Sequence, residues 1–198
     1  MKILGIVGSY RKGGVIDSLV TEALAGAQER GVETEKIYLV DERIEFCTNC
    51  RTCTQEAGTA PGKCRHDDDM QMILERYGKA DGLVIGAPVN FFNVNAITRR
   101  FLERLVCFSY WPWGQVGPRM RSKTQGKKAV VITSSAMPAA FGRLFTGALG
   151  ALRLVAKTMG ARPVASIFVG MVARNEKPAI SGRSLKQARI AGRKLVTG

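Results

Sequence analysis

The second half of this chain is almost without acid. After residue 106 the only carboxylate side chain is Glu176, against 16 Lys and Arg. Residues 1–106 carry 14 Lys and Arg against 15 Asp and Glu, so the two parts stand at −1 and +15 and sum to +14. Apolar runs approaching about 18 residues are also lacking, so no membrane span is expected. The first apolar stretch, residues 3–7, is too short for a secretory signal, and no small-residue cleavage site follows it. The expectation is a cytoplasmic protein. Internal repeats and low-complexity tracts are missing too. There is one histidine, His66.

What is present fits one domain, 1–198, large enough for a full hydrophobic core. Hydrophobic residues make up 45% and charged residues 23%, an ordinary globular balance. The excess of positive charge after residue 106 suits a solubilising face. It equally suits an anionic partner: a phosphorylated cofactor, nucleic acid, an anionic membrane surface or an acidic protein. Of the five cysteines, Cys47, Cys50, Cys53 and Cys64 fall close together and Cys107 stands apart. Such clustering argues for metal or redox chemistry over a disulfide framework.

Strand and helix signals alternate along the chain. Short Ile/Val-rich runs at 2–7, 34–40, 82–87, 127–133 and 164–169 read as buried strands, the third stopped by Pro88. Helical spacing recurs between them. Val15, Leu19, Ala23 and Ala27 mark the first helix; Met70, Ile73, Leu74 and Tyr77 the second; Ile97, Phe101, Leu102 and Leu105 the third. One long helix is expected through Leu144, Phe145, Ala148, Leu149, Leu152 and Met159, and a last one through Leu185, Ala188, Gly192 and Leu195. Residues 41–66 form a cysteine-rich loop, and 107–126 a basic insertion containing Trp111 and Trp113. Five strands alternating with helices imply a parallel sheet covered on both faces. The length suits a flavodoxin-like three-layer sandwich with strand order 2-1-3-4-5. Ligands in such sheets bind beyond the carboxyl ends of the strands, here the loops after the first, third and fourth.

The first of those loops reads Gly8-Ser9-Tyr10-Arg11-Lys12-Gly13-Gly14. Glycines let backbone N–H groups turn inward, and the helix start beyond adds unpaired donors and a positive dipole end. Ser9 brings a hydroxyl, and Arg11 and Lys12 bring positive charge. Together they suit a terminal phosphate, although the spacing is neither a P-loop nor G-x-G-x-x-G. The second loop reads Gly86-Ala87-Pro88-Val89-Asn90-Phe91-Phe92-Asn93-Val94-Asn95. Its aromatics offer a flat apolar wall, and its amides can meet the polar edge of a ring.

These stretches resemble the NAD(P)H-dependent FMN reductase and iron–sulfur flavoprotein families. Gly8-Ser9-Tyr10-Arg11-Lys12-Gly13-Gly14 fits their Gly-Ser-x-Arg-x-x-Gly loop. Ala87-Pro88-Val89-Asn90 and Phe101-Leu102-Glu103-Arg104 correspond to their later motifs. The resemblance implies bound FMN and NAD(P)H as co-substrate. It places Ser9, Arg11, Lys12, Gly13, Gly14, Val15 and Ile16 around the phosphate. It places Pro88 to Val94, with Thr133, Ser134 and Ser135, around the flavin ring. It also implies homodimers or homotetramers. Two departures stand out. Val15 and Ile16 replace the polar residues usual there, and Asn90 replaces a common Tyr. A hydrogen bond to a charged group is worth roughly 1.5–3 kcal/mol, so two missing ones weaken FMN by orders of magnitude. Asp17 beside a phosphate adds no help.

The cysteines run Cys47-x2-Cys50-x2-Cys53-x10-Cys64. Ligands three residues apart let a turn present them to one point, and four thiolates satisfy a [4Fe–4S] cluster. The segment resembles the compact motif of iron–sulfur flavoproteins, with a longer last gap. A zinc site including His66, and free or redox-active thiols, remain alternatives. Asp67, Asp68 and Asp69 read as a helix cap. Trp111 and Trp113 suit a subunit interface first, a flavin cover or base stacking second.

The expectation is an enzyme taking hydride from NAD(P)H on FMN and passing electrons to a small-molecule or protein acceptor. An electron-transfer protein without its own NAD(P)H site is one alternative. A non-enzymatic binder of an anionic partner, nucleic acid included, is the other. Hydride transfer to a flavin needs no protein acid or base, so no catalytic side chain is expected.

Overall fold

The computed structural model describes residues 1–122, 124–173 and 179–196; Lys123 of the basic insertion and Glu176 lie outside them. The chain begins with β1 (Lys2–Val7), α1 (Val15–Gln28) and β2 (Glu33–Tyr38), and the cysteine-rich segment follows. Then come α2 (Met70–Gly78), β3 (Gly82–Asn90), β4 (Asn93–Val94) and α3 (Ala96–Arg104). A short ribbon of β5 (Ser109–Tyr110) and β6 (Arg119–Met120) precedes β7 (Lys127–Ser134). The remaining elements are α4 (Ala139–Phe145), α5 (Ala148–Thr158), β8 (Ala161–Val169) and α6 (Gly182–Val196).

The main sheet runs β2-β1-β3-β7-β8, and each of these pairs is parallel. With β7 and β8 as fourth and fifth strands, this is the 2-1-3-4-5 order of a flavodoxin-like sheet. Alternation along β1 divides the core into two layers. Ile3 and Val7 face Leu19, Val20 and Ala23 of α1 and Ala188 and Leu195 of α6. Leu4 and Ile6 face the other layer, with Ile73 and Tyr77 of α2, Phe101 of α3 and Leu152 of α5. Both faces are covered, which is why β1 reads as an unbroken apolar run.

Helices α1 and α6 touch backbone to backbone. A Cβ at Gly192 would lie 1.7 Å from the Ala23 carbonyl oxygen, and one at Gly26 2.0 Å from that of Arg189. Gly192→Ala therefore forces the helices apart. Its expected cost is ~1–3 kcal/mol of unfolding free energy, the usual range for overpacking, read as a lower urea midpoint.

Three local expectations are corrected. Pro88 does not stop β3, which continues to Asn90. Gly86 turns its carbonyl toward β1, accepting from Gly8 N–H at 2.7 Å. Two residues on, Pro88 turns the same way, where β1 has already ended, so its missing N–H costs no ladder bond. Phe91 and Phe92 then take positive φ of 45° and 64°, and the chain returns as β4. The long helix through Leu144 and Met159 is broken instead into α4 and α5, bent by 64°. Thr146 and Gly147 make the break: the Thr146 hydroxyl donates to the Gly142 carbonyl, and Gly147 N–H donates to the Phe92 carbonyl. The last strand begins at Ala161, earlier than 164, paired to Lys127. Among the described residues no single helix is long and apolar enough to cross a membrane.

Candidate functional site

The loops after β1 and β3 are tied together by buried polar groups. Asn95 caps α3: its Oδ1 accepts from Thr98 N–H at 3.3 Å, while its Nδ2 donates to the Gly8 carbonyl at 2.8 Å. The Thr98 hydroxyl also reaches the Gly8 carbonyl at 3.1 Å. A Cβ on Gly8 would fall 2.2 Å from that hydroxyl, so the position requires glycine. The start of the phosphate-type loop is thus pinned to the start of α3. In the sequence Asn95 reads as one of the loop amides facing a ring, and Thr98 carries no role. An Asn three residues before Thr at a helix start was the available signal.

Beyond Gly8 the loop folds on itself. Ser9 is buried, and its Oγ accepts from Arg11 N–H at 3.1 Å. Lys12 is drawn aside to Asp41, at 2.6 Å, and lies over the Tyr38 ring. Gly13 takes a φ of +71°, and its N–H donates to Asp17 Oδ2 at 2.7 Å. Ile16 points into the core beneath β3 and offers the loop no side chain. Gly14 caps α1 without a side-chain hydrogen bond. The N–H groups of Val15, Ile16 and Asp17 have no intrahelical acceptor there, which leaves a set of donors for an anion.

Asp17 is the unexpected centre of this region. It is buried and also accepts from Lys36 Nζ at 2.8 Å and the Tyr38 hydroxyl at 3.1 Å. Burial acts to raise its pKa. The Lys36 ammonium, the Gly13 N–H and the Tyr38 hydroxyl outweigh that and hold the carboxyl below its ordinary value.

At the other strand ends, Ala87 pairs with Thr133 and Pro88 with Ser134. Thr133, Ser134 and Ser135 are buried. Among the described residues the Thr133 hydroxyl has no partner, an unmet hydrogen bond at the carboxyl edge of the sheet. Phe91 and Phe92 are exposed on the hairpin turn, as are Phe141, Leu144 and Phe145 on α4. The Gly147–Phe92 hydrogen bond joins the two groups. Free α1 donors, an orphan hydroxyl and an exposed aromatic rim fit a phosphorylated flavin; the Gly13 N–H is the donor already spent.

The clustered cysteines line a cavity that shares no residue with these loops. Cys47, Cys50, Cys53 and Cys64 line one cavity, together with His66 and Arg104. His66 Nε2 is buried without a partner among the described residues. All five cysteines are unpaired by disulfides. Hydrogen bonds from the Thr52 side chain and backbone lower Cys50 to about 7, whereas burial raises Cys53 to about 11 and Cys107 to about 12. Among the described residues no three His, Cys, Asp or Glu side chains stand close enough to hold a single metal ion. Four thiols around one cavity are the donor set that a [4Fe–4S] cluster takes.

The insertion 107–126 holds the cysteine segment. The Arg51 guanidinium lies 3.7 Å from the Trp111 ring centre and 4.2 Å from that of Trp113. Trp111 N–H donates to the Thr54 carbonyl, and the Thr54 hydroxyl donates back to the Trp111 carbonyl. Arg121 donates to the carbonyls of Cys53, Glu56 and Cys107. The tryptophans thus clasp the loop of their own chain.

Asp68 is more than a cap. It accepts from Met70 N–H and Glu45 N–H and forms a buried ion pair with Arg104. Burial acts to raise its pKa, but Arg104 and the two N–H donors bring it below the ordinary value. Groups with depressed folded-state pKa contribute stability that is present above the unfolded value of roughly 3.9 and lost as pH falls through the folded one. The unfolding free energy is therefore expected to be flat above about pH 5 and to decline below it. Asp17→Ala and Asp68→Asn should each flatten part of that decline in urea titrations.

Residues 1–175 match the family model for NADPH-dependent FMN reductase. An iron–sulfur flavoprotein of Methanocaldococcus jannaschii is 37% identical over 130 residues, 66% of this chain and 62% of that one. One from Methanosarcina thermophila is 37% identical over 106 residues, 54% of this chain and 53% of its own. The chain spans less than two thirds of the length of these relatives. In fold it is similar to an NAD(P)H:quinone oxidoreductase from Methanothermobacter marburgensis, with TM-score 0.72, 21% identity and 98% of each chain covered. It is also similar to an FMN-dependent NADH-azoreductase from Bacillus anthracis, with TM-score 0.70, 15% identity and 100% of each chain covered. With the family model matched across most of its length, the chain belongs to the NADPH-dependent FMN reductase family.

Proposed function

We propose that the chain is an FMN-dependent NAD(P)H oxidoreductase that passes electrons through a [4Fe–4S] cluster to a small-molecule or protein acceptor. FMN supplies hydride acceptance and release of electrons, and the cluster supplies one-electron transfer. The chain's part is to bind and orient both. The N–H groups of Val15, Ile16 and Asp17, with Ser9 and Arg11, hold the phosphate. Pro88 to Val94 and the Thr133–Ser134–Ser135 edge hold the ring, and Cys47, Cys50, Cys53 and Cys64 hold the cluster. The observation that carries the reading is the convergence of the four thiols on one cavity at one end of α3. The other end of that helix anchors the β1 loop. Nine residues of helix span about 14 Å, so one rigid element joins both sites.

The exposed Phe91, Phe92, Phe141, Leu144 and Phe145 support assembly with a second copy, since such apolar groups are normally covered. Protein purified anaerobically and loaded with FMN, iron and sulfide tests the reading. Flavin absorption should bleach with NADH or NADPH, with about four irons per chain. Loaded protein that neither nucleotide reduces overturns it and favours an electron carrier served by a partner reductase.

A further inference from the structure

The cysteine cavity contains a charge that its thiols alone do not call for. Arg104 lies at the end of α3 with its side chain only 2% exposed, and Asp68, with which it pairs, is fully buried. Burying two charges costs several kcal/mol per ion, and well-packed apolar residues often serve stability better. The pair is therefore weak as a stability device, and its position is more telling. Arg104 lines the same cavity as the four cysteines. One terminal nitrogen donates to the Glu45 carbonyl at 2.8 Å and to Asp68; the other donates to Asp68 Oδ1 at 3.1 Å. Asp68 in turn accepts from Glu45 N–H at 2.8 Å. Glu45 precedes Cys47 by two residues, and Asp68 follows Cys64 by four. One ion pair thus closes both ends of the cysteine segment and turns its cationic partner toward the sulfurs.

We propose that Arg104 is a positioning residue that sets the reduction potential of an iron–sulfur cluster held by Cys47, Cys50, Cys53 and Cys64, with Asp68 as its counterweight. The inference rests on the cluster reading above. One electron entering the site adds one negative charge. It comes from the flavin in the working enzyme and from dithionite in a titration. A fixed positive charge lining the cavity stabilises that added charge, and hydrogen bonds to sulfur act in the same direction. A buried carboxylate beside the cation opposes it.

The two members of the pair therefore act with opposite sign, which a purely structural role does not produce. The test is an anaerobic redox titration of the cluster-loaded chain, followed by the electron paramagnetic resonance of the reduced cluster. Asp68→Asn keeps the shape and one accepting oxygen, with two of the four hydrogen bonds that Asp68 accepts, and removes the negative charge. It is expected to raise the reduced-to-oxidised ratio at fixed potential about tenfold, a shift of ~59 mV for one electron. Arg104→Gln is expected to lower that ratio by a similar factor. Arg104→Lys keeps the charge and should stay near the parent while losing the fork that closes the loop. Should Arg104→Gln fail to fold, Asp68→Asn and Arg104→Lys decide the matter between them. Shifts in one direction for both Asp68→Asn and Arg104→Gln, or no shift in Asp68→Asn, overturn the inference and leave the cluster reading standing. A parent chain that takes up no iron and sulfide overturns both.

Discussion

Replacing Asp17 by alanine is expected to tighten FMN binding while destabilising the fold. The Gly13 N–H points at Asp17 Oδ2, 2.7 Å away, so the donor best placed by the loop is satisfied internally. Removing the carboxylate releases it. A hydrogen bond to a charged acceptor is worth roughly 1.5–3 kcal/mol, and each 1.4 kcal/mol is tenfold in affinity. Loss of a neighbouring negative charge acts in the same direction. The expected gain is about 10- to 100-fold in Kd, measured by quenching of FMN fluorescence. The cost falls on Lys36 and Tyr38, which lose their buried acceptor. Stranded polar partners typically cost ~1–3 kcal/mol, read as a lower urea midpoint. Riboflavin has no phosphate and separates the causes: its affinity should stay unchanged. Equal gains for riboflavin and FMN would place the effect on the ring, and an unchanged FMN affinity would move the phosphate off this loop.

The opposed signs also explain why the fold tolerates Val15 and Ile16. Ile16 is 2% exposed and belongs to the layer between α1 and the sheet. A polar residue there would gain a phosphate contact and lose core packing. The first turn of α1 serves the fold with its side chains and leaves its backbone N–H groups for a ligand.

Much of this architecture is legible in the sequence because its signals are local. The buried strands read as apolar runs, and α1 reads from Val15, Leu19, Ala23 and Ala27 at helical spacing. The parts that were not legible depend on contacts across the chain. Pro88 is a strand breaker by its own chemistry, and only the end of β1 beside it makes the extension of β3 harmless. The apolar spacing through Leu144 and Leu149 is continuous, yet Gly147 N–H is taken by the Phe92 carbonyl, far away in sequence. Asp17 reads in the sequence only as an acid that does not help a phosphate. Its importance comes from Lys36 and Tyr38 on β2, which parallel pairing brings beside α1. The cysteine spacing shows four ligands. It does not show that residues 107–126 fold over them, because an arginine between two tryptophans carries no periodicity.

That clasp yields the second large effect. Arg121→Met is expected to leave flavin binding intact and to weaken the hold of the cysteine site on the proposed cluster. The guanidinium donates to the carbonyls of Cys53 at 2.9 Å, Glu56 at 2.8 Å, Gly58 at 3.4 Å and Cys107 at 3.0 Å. Gly62 N–H donates to the same Cys107 carbonyl at 2.8 Å, so the residues just before Cys64 hang on this crossing as well. Methionine fills the volume and offers no donor. The carbonyls it abandons must then turn to water, and Cys53 turns with its backbone. Groups that orient metal ligands typically cost 10–100-fold in metal affinity when lost. Iron release to a chelator from the cluster-loaded chain should therefore be about 10- to 100-fold faster. Trp111 and Trp113 give an independent readout, since a loosened loop withdraws Arg51 from their rings and shifts their emission. Arg121→Lys should fall between, because one ammonium carries three donors and cannot span four carbonyls. FMN affinity belongs to loops that Arg121 does not touch and should not change. Iron release at the parent rate would show that the cysteine loop holds its own shape, with the ribbon only resting on it.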